Sequence, residues 1–266
     1  MKIPYIALFA LTLVISCKKE DKPEEEISNA RYISSVVTTN DSTVYDYNAD
    51  HTLRRSAQFS DGKTDSANSY IYFLQYTGGM VTGVNFTHNI NSANGTPEYS
   101  ILYNAANQIG TIIPQNGLGY DSIVYNAQGH VSDYYYIQIP RSIKHHMELT
   151  WKDDNLVKMV RNLVQFDSYD ILTYAYDNSP NMYVHSAALS LTNINDFHYL
   201  SKNNVTRIDY DLAGDRDRGL IHSIMFTYTY DTLHYPVKML SASEFIEHGD
   251  TTDYYLEDSA RITYLP

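Results

Sequence analysis

An aromatic residue followed six positions later by an aliphatic one recurs along this chain, and no other feature constrains the fold as much. Tyr47-Asn48-Ala49-Asp50-His51-Thr52-Leu53 has this form, as do the stretches from Tyr103 to Ile109 and from Tyr125 to Val131. Trp151 to Val157 repeats it with Trp for Tyr. Four residues after each aromatic stands His51, Asn107, Gly129 or Asn155, residue types that enter positive φ at low cost, as a tight hairpin turn requires. Turns with positive φ at Gly129, Asn107 and Asn155 are therefore predicted. Tyr76, Tyr176, Tyr210 and Tyr230 continue the rhythm, and each interval holds one strand out and one strand back.

The residues two before these aromatics are Tyr45, Leu74, Ile101, Ile123, Leu149, Tyr174, Ile208 and Tyr228. Period-two alternation places each pair on one face, while Asp46, Gln75, Asn104, Asn126, Thr150, Ala175 and Thr229 fall on the other. One face is buried and one is wet, as in antiparallel meanders. Seven or eight hairpins give fourteen to sixteen strands, and a sheet of that size curls, splits or closes. The fold class is all-β: a large antiparallel meander of repeated hairpins curled into a barrel-like or wrapped sheet. The 26 tyrosines supply its core, with ring bodies buried and hydroxyls reaching the rim. One segment departs from this pattern. From Val184 through Ala188, Leu191, Ile194, Phe197 and Leu200 the apolar spacing is three to four, which predicts a short helix near residues 185–200.

The amino terminus carries a different signal. Residues 1–16 have one basic residue, an apolar run and a small residue at the end, the layout of a secretory signal and too short to span a bilayer. Val14-Ile15-Ser16-Cys17 resembles the bacterial lipobox, which implies cleavage before Cys17 and its acylation. Cys17 is the only cysteine in the chain, so it has no disulfide partner. Several acyl chains, at about 0.8 kcal/mol per buried methylene, hold a protein on a membrane through lipid alone. Residues 17–29 then form the lipidated cysteine and a charged tether, and residues 30–266 a single β-repeat domain. Lys18 after the cysteine, followed by Lys19-Glu20-Asp21, looks like the pattern of lipoproteins sent to the outer membrane and its outer surface. Without the signal, 18 basic residues face 31 acidic ones, a net charge of -13. Such a surface repels nucleic acid.

The lipobox, the Tyr-Asn/Asp hairpins, the insert before Ser201-Lys202-Asn203-Asn204-Val205-Thr206 and the closing Tyr228-Thr229-Tyr230-Asp231 resemble an uncharacterised family of Bacteroidetes-type lipoproteins with a porin-like fold. The hairpins are also similar to the Tyr-Asp repeats of large bacterial shell proteins, although most copies lack that motif's Gly followed by Arg and an aliphatic. The resemblance covers the mature chain and implies no activity, cofactor or catalytic residue.

Three clusters could carry chemistry, and each has a plainer reading. His146 and Glu148 share a strand face, with His145 and Met147 on the other, so a metal would meet two ligands there. Asp209-Tyr210-Asp211-Leu212-Ala213-Gly214 begins like a calcium loop but has Ala213 and Leu220 where oxygen ligands belong. Glu244, Glu247, His248 and Asp250 lie close in sequence, yet alternation parts Glu244 from Glu247. No phosphate loop, nucleophile elbow or zinc-helix motif is present. No cofactor, metal site or catalytic residue is assigned. Six copies of Asp, then Ser or Thr, then a small or aliphatic residue resemble the O-glycosylation acceptor of exported proteins in such bacteria, at Ser42, Ser66, Ser122, Thr232, Thr251 and Ser259. The expectation is an outer-membrane lipoprotein, surface-exposed and non-catalytic, binding a glycan or protein ligand. A secreted hydrolase with a scattered carboxylate/His site and a transmembrane β-barrel are the alternatives. The last needs an apolar outer band, which a mean hydropathy of -0.37 does not advertise.

Overall fold

The computed structural model describes residues 31–60, 69–139, 143–163, 168–184, 197–211, 220–247 and 250–265. All lie in the compact unit Arg31–Pro266. Cys17 and its tether fall outside the described residues, as does Ser66.

Sixteen strands follow one another in chain order: β1 (Ile33–Val37), β2 (Ser42–Tyr47), β3 (Leu53–Phe59), β4 (Ser69–Thr77), β5 (Met80–Thr87), β6 (Thr96–Tyr103), β7 (Ile109–Pro114), β8 (Gly119–Tyr125), β9 (Val131–Gln138), β10 (Ile143–Lys152), β11 (Asn155–Leu163), β12 (Ser168–Pro180), β13 (Asn203–Asp211), β14 (Leu220–Tyr230), β15 (Pro236–Glu247) and β16 (Asp250–Tyr264). Each pairs antiparallel with its sequence neighbours, and β1 pairs with β16, so the meander closes into a barrel. Closure leaves no unpaired sheet edge.

The side chains two before the repeated aromatics point inward, as the alternation predicts. Tyr45, Leu74, Ile101, Leu149 and Ile208 are buried in two interior clusters. The aromatics themselves form a ring at one end of the barrel. Hydroxyls of Tyr47, Tyr76, Tyr103 and Tyr125 donate to the carbonyl oxygens of Ile33, Leu53, Val81 and Ile109 at 2.9, 2.7, 3.0 and 2.9 Å. Trp151 Nε1 donates to Val131 at 2.7 Å, and Tyr176, Tyr228 and Tyr264 donate to Leu156, Val205 and Pro236 at 2.7, 2.8 and 2.8 Å. Every even strand thus gives an aromatic donor to the odd strand before it. A buried ring and a satisfied backbone carbonyl come from the same side chain, which is why Tyr and Trp, and not Phe, occupy these places.

The residue after the aromatic has its own task. Asn104 Oδ1 accepts from the N–H groups of Ala106 and Gln108, Asn126 Oδ1 from Gln128 and His130, and Asp231 Oδ1 from Leu233 and Tyr235. The Asx side chain folds the turn by taking donors that would otherwise lack partners. Positive φ follows at Asn107 (58°), Gly129 (87°), His51 (62°) and His234 (63°). Asn155 does not adopt it. Its turn is one residue shorter, so Asp153 (51°) and Asp154 (63°) take the left-handed positions and Trp151 pairs with Leu156 instead of closing on Val157.

Two further expectations need correction. Tyr210 is not a member of the aromatic ring: β13 runs away from the ring, so Tyr210 lies toward the opposite rim, across from His222. Tyr230 is not a donor of the ring either: its hydroxyl donates to Asp177 Oδ2, and Tyr228, two residues earlier, makes the bond to Val205 in its place. Tyr264, with no turn after it, is the ring's eighth donor. The expected short helical insert is present: its described part is a 3-10 helix, Phe197–Leu200, and 185–196 fall outside the described residues.

The described residues of that insert pack into the ring end of the barrel. Met182 and Tyr183 join the interior cluster of Ile33 and Tyr45, and Phe197 joins that of Tyr134 and Leu149. Asn181 Nδ2 donates to the carbonyl oxygens of Tyr199 and Ser201 at 3.3 and 2.9 Å, and the Met182 N–H donates to Asn204 Oδ1 at 3.0 Å. Ser201 Oγ accepts the Leu156 N–H at 3.1 Å and donates to the Tyr176 hydroxyl at 3.0 Å. These bonds hold a plug of aromatic and apolar side chains against the ring.

Candidate functional site

Beyond the plug lies a cavity of about 520 Å³ on the inner wall of the barrel. Glu98 and Tyr99 of β6, Asp121 of β8, Tyr134 and Tyr136 of β9, His145 of β10 and Arg161 of β11 line it, with Asn116 from the β7–β8 turn. The Tyr134 ring meets Phe197 of the plug edge-on at 5.4 Å, so the plug forms one end of the same interior.

Asp121 is the unusual member. It is 2% exposed, and its Oδ1 has no hydrogen-bond partner. Burial pushes its carboxyl up to about 6, against a smaller opposing pull from the Tyr134 hydroxyl. Tyr99 and Tyr134 are both pushed up, by burial first and also by nearby negative charge, Glu98 and Asp121 for Tyr99 and Asp121 for Tyr134. The neighbouring Arg161 is committed: Nε and Nη2 donate to Asp170 Oδ2 at 3.1 and 2.6 Å. Asp121 belongs to no cluster in the sequence, because the side chains around it come from β6, β9, β10 and β11 and meet only through the pairing and curvature of these consecutive strands.

The clusters singled out in the sequence lie elsewhere. His146 and Glu148 do share the outward face, where His146 Nε2 meets Asp133 Oδ1 at 2.9 Å and its ring stacks on Tyr135 at 4.3 Å. Among the described residues no group of three or more His, Cys, Asp or Glu is arranged to hold a metal. Asp209 Oδ1 accepts from Arg207 Nε at 2.6 Å, and Arg207 Nη2 also meets Glu244 Oε1 at 3.0 Å. Asp209 and Glu244 are thus in an ion-pair network; residues 212–219 and His248 fall outside the described set. Trp151 stacks on His130 at 4.8 Å within the ring. Of the Asp-Ser/Thr sites, Thr232 stands exposed in the β14–β15 turn, Thr251 and Ser259 are exposed on β16, and Ser42 and Ser122 are half-buried within strands.

The outward face differs from the inner one. By alternation it carries Arg55 with Asp46 (2.6 Å), Asp133 with His146, and Arg207 with Asp209 (2.6 Å) and Glu244. Its apolar patch of Ala57, Ile71 and Phe73 is covered by Phe59 and by Ile90 of the β5–β6 connection.

The fold and interior define a closed antiparallel barrel of sixteen strands, porin-like in architecture. Among solved structures, the chain is similar to a porin-like protein from Bacteroides uniformis at 12% identity and a TM-score of 0.43, covering 88% of this chain and 96% of that one. It is likewise similar to a porin-like protein from Bacteroides vulgatus at 10% identity and a TM-score of 0.41, covering 89% of this chain and all of that one (100%). No protein-family model and no curated protein matches the sequence. The assignment of fold rests on the strand pairing itself.

Proposed function

We propose that the chain is a lipoprotein held on the outer membrane through acylated Cys17, displayed outward, and that its barrel is a non-catalytic binding module whose ligand enters the cavity beside Asp121. The observation that carries the reading is the cavity: three tyrosines and a buried carboxylate with a vacant acceptor, next to a plug that fixes the wall. Convergent polar groups in an aromatic-lined recess are how small ligands are oriented. Among the described residues no Ser, Thr, Cys or Lys lines that cavity beside its carboxylates, which favours binding over hydrolysis. Soluble glycans or a protein segment are the ligands this outward display would meet. Thr232, Thr251 and Ser259 are the exposed acceptors for O-glycosylation, with Ser42, Ser66 and Ser122 completing the set.

Closure of sixteen antiparallel strands favours a transmembrane barrel, as do apolar side chains exposed on the outer face such as Leu102, Val124 and Leu240. Against it stand the outward-facing Arg207 with Asp209 and Glu244, and Asp133 with its contact to His146, each in mid-strand. A charged residue facing lipid at the bilayer midplane costs about 2–4 kcal/mol. Broad glycosidase, esterase and peptidase panels test the non-catalytic part: no turnover is expected, and a reproducible activity abolished by Asp121→Ala would overturn it.

A further inference from the structure

We propose that the cavity beside Asp121 is a site for an organic cation, an ammonium group held by Asp121 and Glu98 with its carbon skeleton against Tyr99, Tyr134 and Tyr136. The inference rests on the reading of the barrel as a binding module and names the chemistry of its ligand.

Charge selects the sign. Glu98 and Asp121 line the cavity, and the one guanidinium among its lining residues, Arg161, already gives two bonds to Asp170. The balance of the wall is therefore negative. Oδ1 of Asp121 is an acceptor with nothing donating to it, and leaving such an atom buried costs free energy that a ligand N–H would recover. The tyrosines add to this in two ways. Their ring faces attract cations, and their hydroxyl oxygens accept hydrogen bonds from an ammonium. An anion would meet two carboxylates here. A neutral polyol could bond to Oδ1 but would leave the excess negative charge uncompensated. The volume of about 520 Å³ suits a small amine and falls within the range usual for ligand pockets.

Proton competition follows. The groups facing Asp121 are Glu98 and Tyr99 on β6, Tyr134 and Tyr136 on β9, His145 on β10 and Arg161 on β11. An uncharged Asp121 gives up the attraction, so affinity falls as pH drops through about 6. Below that pH the Asp121 contribution falls up to tenfold per unit.

The test is calorimetric titration of the mature protein at pH 7.5 and constant ionic strength, with n-butylammonium, tetramethylammonium, glucose and acetate as separate probes. The expected result is saturable binding of an ammonium probe, weakened at least tenfold in Asp121→Asn and measurably in Glu98→Gln, and weaker at pH 5 than at pH 7.5. Glu98→Gln alters the half-buried wall, so it remains informative should Asp121→Asn misfold. Saturation by glucose, lost in Asp121→Asn, would overturn the cation inference and leave the binding module standing. Ammonium binding indifferent to both substitutions would also overturn it. Failure of every probe to saturate would count against the inference and the binding cavity together.

Discussion

Trp151 Nε1 donates to the carbonyl oxygen of Val131 at 2.7 Å, the same bond that the Tyr125 hydroxyl makes to Ile109 at 2.9 Å. An indole and a phenol solve one problem: each fills the barrel interior and satisfies the first inward carbonyl of the strand before it. Tyr125→Phe keeps the ring and removes the bond. It should lower stability by about 1–3 kcal/mol, since a half-buried carbonyl loses its donor. Urea unfolding with an unchanged slope and a lower midpoint is the expected record.

Gly129 has φ 87°, while no side chain but Gln108 comes near its Cβ position, at 3.5 Å. Gly129→Val should therefore cost more than about 1 kcal/mol through backbone strain alone. Unchanged thermal stability would contradict the turn geometry. Asn155 gives the opposite case. Its Nδ2 donates to Asn203 Oδ1 at 3.0 Å and its Oδ1 accepts the Asn203 N–H at 3.0 Å, so Asn155→Gly should destabilise where a left-handed residue would have gained.

The Asx oxygen that accepts two turn N–H groups predicts a cost of its own. Asn126→Ala should lose about 1–2 kcal/mol, and Asn126→Asp should retain most of it, because Asp231 performs the same role in the last hairpin. Thermal melts of the two variants distinguish an Asx requirement from a simple surface position.

Much of the barrel was legible because its cause is local. Tyr-Asn with a positive-φ residue three further on states both the donor and the turn, and Tyr45, Leu74 and Ile101 follow by alternation. Tyr210 misled because aromatic spacing alone does not say to which rim a strand is heading. Asn155 misled because a turn shortened by one residue moves the left-handed position onto Asp153 and Asp154. Closure through β1 and β16 joins residues more than two hundred positions apart, such as Ile33 and Tyr264, and leaves no local mark. Asp121 enters the sequence reading only as the first residue of the acceptor-like Asp121-Ser122-Ile123, whereas the strand buries it among side chains from β6, β9, β10 and β11.

Asp121 also makes stability depend on pH. Its carboxyl is pushed up to about 6 from 3.8, so the folded chain binds a proton more readily than the unfolded one between those values. Its contribution is therefore unfavourable above pH 6 and vanishes as pH falls below 3.8. Asp121→Asn should raise stability at pH 7.5 by up to roughly 2–3 kcal/mol and remove the downward slope between pH 4 and 6. A variant less stable than the parent at pH 7.5, with the slope intact, would mean the carboxylate is satisfied in the folded chain.

The central claim, that lipid on Cys17 and not the barrel wall holds the protein to the membrane, is tested by fractionating cells that express the Cys17→Ala variant. The account predicts that the parent partitions with outer membranes and is removed by protease added to intact cells, while Cys17→Ala is released or left unprocessed. Survival of the parent under protease until the outer membrane is opened would keep the anchor and overturn outward display. Cys17→Ala protein that is processed, folded and still resistant to carbonate extraction from outer membranes would contradict the claim and establish the transmembrane barrel.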